Sequence, residues 1–200
     1  MTTIDIKKTA LYESAQRPVH MNPKKFAFWI FLVTVVMLFA SFTSAYLVRR
    51  DAGGWLHFKM PAIFAVSTFV LLVSSAFMHW AYISAKKDNF GKLKIAIAIT
   101  TLLGIAFLVL QVMGWGALVE QKIFFAGKYA NPAGSFVYVF SSIHGLHLIS
   151  GIIFLLVVFA NVYKMKIHSK NMLQMELCTT YWHFLDLLWV YLYVFLLVNN

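Results

Sequence analysis

At 200 residues, 61% of them hydrophobic and only 12% charged, the chain carries more apolar surface than a soluble domain of its length can bury. Its net charge of +10 comes from basic residues gathered between apolar runs. That pattern argues against a nucleic-acid-binding face and points to loops lying at an anionic lipid surface.

The composition predicts an all-α, polytopic membrane bundle. Five runs are long enough to span a bilayer as helices, at about 26–48, 61–83, 93–118, 134–163 and 177–198. The third and fourth are long and should tilt or protrude. None alternates apolar and polar residues as the strands of a membrane barrel would.

In chain order, residues 1–25 form a polar segment without a short apolar core and cleavage site. The reading is therefore no removable signal peptide, with the first helix itself directing insertion. Residues 26–198 are expected to form one five-helix domain, with no internal repeat of 20–50 residues. Trp29 on the first helix and His79, Trp80 and Tyr82 at the end of the second read as interfacial anchors. Gly104, Gly114 and Gly116 suggest close packing along the third helix, where Gln111 is a buried amide. Met37, Met78 and Met113 read as packing residues, and the lone Cys178 as a small buried one.

Orientation follows from the basic residues. Lys7, Lys8, Arg17, Lys24 and Lys25 precede the first helix. Lys86, Lys87, Lys92 and Lys94 fall between the second and third, and Lys164, Lys166 and Lys170 between the fourth and fifth. Only Arg49, Arg50, Lys59, Lys122 and Lys128 lie on the other side. The positive-inside rule then places the N-terminus in the cytoplasm and the C-terminus outside.

The loops carry no phosphate-binding glycine loop, nucleophile elbow or carboxylate cluster, so any chemistry must sit inside the bundle. Glu176, His183 and Asp186 fall within an arc of about 80° on the fifth helix, with Trp182, Trp189 and Tyr193 on the same side. The fourth helix offers a matching stripe in Ser141, Ser142, His144, Gly145, His147 and Gly151. Antiparallel packing brings His144 and His147 to a depth similar to that of Asp186, which predicts a His–Asp contact between the two helices.

Three readings of these histidines compete. Haem ligation needs imidazoles from facing helices, and no spacing selects such a pair. A proton relay is common work for His and Asp near the midplane. The third reading is polar residues that lock helix to helix, at about 0.6 to 2 kcal/mol per bond.

The last two helices closely resemble subunit III of the haem-copper cytochrome oxidases. One matching stretch is Ser142-Ile143-His144-Gly145-Leu146-His147-Leu148-Ile149, with Gly151 following. The other runs from Glu176 through Tyr181-Trp182-His183-Phe184-Leu185-Asp186 to Trp189. Phe28-Trp29-Ile30-Phe31-Leu32, Ala45-Tyr46-Leu47 and Leu110-Gln111 add weaker support. The resemblance covers roughly residues 24 to 198 and matches the short, five-helix bacterial type.

It implies an accessory subunit without haem or copper of its own, in a bacterial inner membrane. Such a subunit packs against the catalytic subunit I, which holds the haem and copper and reduces oxygen to water while protons are pumped. It also binds structural phospholipid and supports proton uptake, and a respiratory supercomplex is a further setting that the resemblance admits. The site residues implied are an interhelix polar network of His144, His147, Glu176, His183 and Asp186, with Arg49 and Arg50 as lipid-headgroup contacts. Two departures shape this reading: Val35 stands where many members have a buried glutamate, and Gly114-Trp115 replaces a glutamate-tyrosine pair. Losing those carboxylates favours a structural and lipid-binding role over a proton antenna. The electron donor, cytochrome c or quinol, is left open. The alternatives from other classes are a stand-alone b-type haem electron carrier and a small proton-coupled transporter.

Overall fold

The computed structural model describes residues 22–128, 130–164 and 172–199. They contain five α-helices and no strand: α1 (Pro23–Asp51), α2 (Ala62–Lys86), α3 (Phe90–Glu120), α4 (Pro132–Tyr163) and α5 (Leu173–Asn199). All five are long and apolar enough to cross a membrane. The all-α, five-span expectation holds. Most of the helices outrun their apolar stretches, because the backbone ladder continues through interfacial residues until a cap or turn ends it. At 32 residues α4 is about 48 Å long, well beyond a hydrocarbon layer of about 30 Å. Most of the polar segment 1–25 lies outside the described residues, as do Lys166 and Lys170.

The helix ends follow local chemistry. Asn89 caps α3 by accepting from the Lys92 N–H at 3.3 Å, and Asn131 caps α4 by accepting from Ala133 N–H at 3.0 Å, with Pro132 in the first turn. At the end of α2, Asn89 N–H reaches back to Ser84 C=O and Asp88 N–H to Ala85 C=O, with Asp88 at φ 52. The end of α3 repeats this arrangement, with Ile123 N–H bonded to Leu118 C=O and Lys122 at φ 61. Both are Schellman stops in which a non-glycine residue takes the left-handed position.

Contacts divide the chain into residues 1–36 and 37–200, with the boundary inside α1. In the first unit, Asn22 Oδ1 accepts from Lys24 N–H at 3.0 Å as α1 opens, and the Thr34 hydroxyl donates back to Phe31 C=O at 2.7 Å.

In the second unit α2 packs on α3 and α5, and α4 packs on the same two helices, so the four close a ring. Lipid tails are as apolar as leucine, so the ring is held by close packing and interhelix hydrogen bonds and not by burial from water. Trp182 and Trp189 of α5 fill its centre, 1% and 2% exposed. A Cβ added at Gly104 would lie 2.8 Å from the Trp182 indole, and one at Gly114 2.9 Å from the Phe64 ring. These glycines are notches into which aromatic rings seat. Gly116, by contrast, faces open space. From Met37 onward, α1 meets α4 and α5 through aromatic rings. Tyr46 lies 5.4 Å from Phe136 and 5.1 Å from Phe195 between centroids, and its hydroxyl donates to Asn199 C=O at 3.3 Å.

Candidate functional site

The polar residues of α5 point in two directions. Trp182 and Trp189, seven residues apart, face the ring's centre and donate their indole N–H groups to α2. Trp182 Nε1 bonds Ser74 Oγ at 2.8 Å, and Trp189 Nε1 bonds Thr68 Oγ1 at 3.0 Å. Buried indoles need an acceptor, and in hydrocarbon only another helix can provide one.

His183 and Asp186 turn toward the seam between α5 and α2. His183 Nδ1 lies 2.6 Å from Ser75 Oγ, and its ring centroid is 6.1 Å from that of His79. Asp186 is 3% exposed. Ser75 also faces its carboxylate, but neither carboxylate oxygen completes a hydrogen bond of ordinary geometry among the described residues. Glu176 lies two turns before His183. With His79, Tyr82, Thr179 and Thr180 it lines a cleft of about 330 Å³ at the end of the seam.

The two histidines of α4 sit elsewhere. His144 is fully buried, its ring 5.0 Å from Trp189 and 5.8 Å from Phe107, with neither nitrogen hydrogen-bonded among the described residues. His147 Nδ1 donates to its own helix at Ile143 C=O, 2.8 Å away, and its ring lies 5.8 Å from Phe39 of α1. No hydrogen bond joins either histidine to Asp186. The contact expected between the last two helices is thus replaced by one between α5 and α2. His144 packs on Trp189 of α5, whereas the side chain facing the Asp186 carboxylate is Ser75 of α2. The α4–α5 polar link is instead Ser150 Oγ to Tyr181 Oη at 2.7 Å, with Tyr181 Oη also donating to His147 C=O at 3.3 Å.

Ser67, Thr68, Ser74 and Ser75 of α2 had no part in the sequence reading. They form two adjacent hydroxyl pairs seven residues apart, a heptad signal in an otherwise apolar run. All four receive or share a bond from another helix, Ser67 by accepting from Gln111 Nε2 of α3 at 3.1 Å. Trp115 Nε1 of α3 bonds Ser141 Oγ of α4 at 2.8 Å, which completes the circuit of the ring.

The two arginines after the first apolar run also differ. Arg50 donates to Asn199 Oδ1 at 2.8 Å and lies 3.6 Å from Asp51, tying the ends of α1 and α5 together. Arg49 is exposed, and among the described residues its guanidinium reaches the Gly53 carbonyl at 3.4 Å. At the opposite end of the ring, the Lys94 ammonium sits 4.1 Å over the Tyr163 ring. Among the described residues no three His, Cys, Asp or Glu are grouped as a metal site would require.

The family model "Cytochrome c oxidase subunit III" matches residues 2–199. Subunit 3 of the cytochrome bo(3) ubiquinol oxidase of Pseudomonas aeruginosa is 32% identical over 170 residues, which is 82% of this chain and 79% of that one. Cytochrome c oxidase subunit 3 of Bacillus sp. PS3 is 31% identical over 85% of this chain and 83% of its own. The Rattus norvegicus cytochrome c oxidase subunit 3 is 30% identical over 95% and 75%. The match spans every helix described above, and the chain belongs to the cytochrome c oxidase subunit III family, a multi-pass inner-membrane subunit of haem-copper oxidases.

Proposed function

We propose that this chain is the accessory subunit III of a proton-pumping respiratory terminal oxidase, and that its work is to hold a rigid bundle against the catalytic subunit. One observation carries this reading: the polar motif residues that make described side-chain bonds mostly use them to link helix to helix. Trp182, Trp189 and His183 bind α2, Tyr181 binds α4, and Gln111 joins α3 to α2. Oxygen reduction belongs to the haem and copper of the partner subunits. The same role serves a complex oxidising cytochrome c or one oxidising quinol, since relatives of both kinds match to within one percentage point.

Phospholipid binding and support of proton uptake are part of the proposal. Arg49 is the better headgroup contact of the two arginines, because Arg50 is already engaged by Asn199 and Asp51. Asp186, buried at the seam, is the residue through which a defect in the bundle would reach the complex. Replacing Asp186 by Ala should lower retention of this subunit in the purified oxidase, or shorten the enzyme's active lifetime under turnover. A mutant complex that assembled fully and kept its rate through prolonged turnover would remove Asp186 from this role. Affinity purification of the chain in mild detergent tests the wider reading, with co-purifying haem-copper subunits as the expected result.

A further inference from the structure

The outer face of the α2–α5 seam is not the face of a helix pair made to meet lipid. His79 is exposed on it, seven residues before the end of α2, which is about 10 Å along the axis. Beside it lie the half-buried His183, Tyr82 and Thr180, with Glu176 in the adjoining cleft. An imidazole is too short to snorkel to the headgroups as lysine or arginine does. Ionisable groups at this depth face protein or a water-filled cavity, because hydrocarbon offers them no hydrogen bond.

The remaining faces of the ring differ. On α3 the large outward residues include Leu102, Ile105, Val109 and Val112, and on α4 they include Leu146, Ile149, Ile153 and Leu156. These are ordinary lipid-facing side chains. Behind the polar seam, Thr179 Oγ1 and both Asp186 oxygens are buried without a hydrogen bond among the described residues.

We infer that the α2–α5 seam is the docking face for a transmembrane helix of the catalytic partner, one that carries hydrogen-bonding side chains at the level of His79 and His183. The inference rests on the family role proposed above and adds which surface performs it. The occupant is a protein helix and not an acyl chain, because the exposed groups are donors and acceptors. Ala76 and Leu187, both exposed, flank these groups on α2 and α5 and would lie in the contact.

The test is site-specific photo-crosslinking in native membranes containing the assembled oxidase. p-Benzoylphenylalanine takes the place of Ala76 or Leu187 at the seam, or of Leu102 or Ile153 as controls on α3 and α4. The expected result is an adduct with the catalytic subunit from both seam positions and from neither control. Adducts with phospholipid alone, no adduct at the seam, or catalytic-subunit adducts mainly from the controls would overturn the assignment. As a second measurement, the double variant His79→Leu and His183→Leu should lower co-purification of the catalytic subunit several-fold, and unchanged recovery would count against it. Failure of the unmodified chain to co-purify with any oxidase would instead bring down the underlying family role, and the docking face with it.

Discussion

Trp182 shows how one side chain can set the geometry of several helices. Its indole presses on Gly104 of α3 and Gly151 of α4, and its N–H is bonded to Ser74 of α2. Gly104→Ala would place a methyl 2.8 Å from the rigid indole, so the ring must shift. Overpacking of this kind costs about 1–3 kcal/mol. Gly116→Ala meets nothing within 4 Å and should hold stability or raise it by up to about 1 kcal/mol through alanine's better helix propensity. Unfolding the purified protein by titration with a denaturing detergent compares the two, and equal midpoints would refute the notch. Trp182→Phe loses the bond to Ser74, worth about 0.6 kcal/mol on average for interhelix bonds in a bilayer, and also withdraws the far edge of the indole from the Gly104 notch, which adds the cost of a cavity. The sequence placed Gly104 and Gly114 correctly in close packing but grouped Gly116 with them. Composition along a helix does not say which of its faces meets a neighbour.

At the scale of the element, α5 and α2 form the polar pair of the bundle. The hydroxyl pairs of α2 recur every seven residues and match the positions of Trp182, His183 and Trp189 on the antiparallel α5. Double-mutant cycles separate this pairing from the alternative one between α5 and α4. His183→Leu with Ser75→Ala should show a coupling of about 0.6 to 1.7 kcal/mol, whereas His144→Leu with Asp186→Asn should show almost none. A large coupling in the second cycle would restore the α4–α5 network expected from sequence. That expectation came from a sound observation, since the matched depth of the histidines and the aspartate follows from helix rise alone. Depth does not fix rotation about the helix axis, and rotation decides which side chains meet.

For the whole molecule, the ring of α2 to α5 has opposite chain directions at each of its contacts, and the polar seam lies on one side of it. The basic residues cluster at the end that holds Lys86, Lys87, Lys92, Lys94 and Lys164. If this end is cytoplasmic, a fluorescent reporter that matures only in the cytoplasm will shine when fused at the N-terminus and stay dark at the C-terminus. The reverse pattern would overturn the orientation drawn from charge.

The sequence by itself determined the solvent, the five spans, the helical class and the family. Those properties depend on run length against bilayer thickness and on motifs that are contiguous in the chain. Tertiary structure decided what the motif residues touch. It turned His183 and Asp186 toward α2, left His144 among aromatic rings, and engaged Arg50 with Asn199 while leaving Arg49 exposed. The physical reason is that helix rotation is set by packing, here by Trp182 seated between the notches at Gly104 and Gly151 and its Ser74 acceptor, and by Trp189 bonded to Thr68, with these partners contributed by α2, α3 and α4. No single stretch of the chain contains that arrangement.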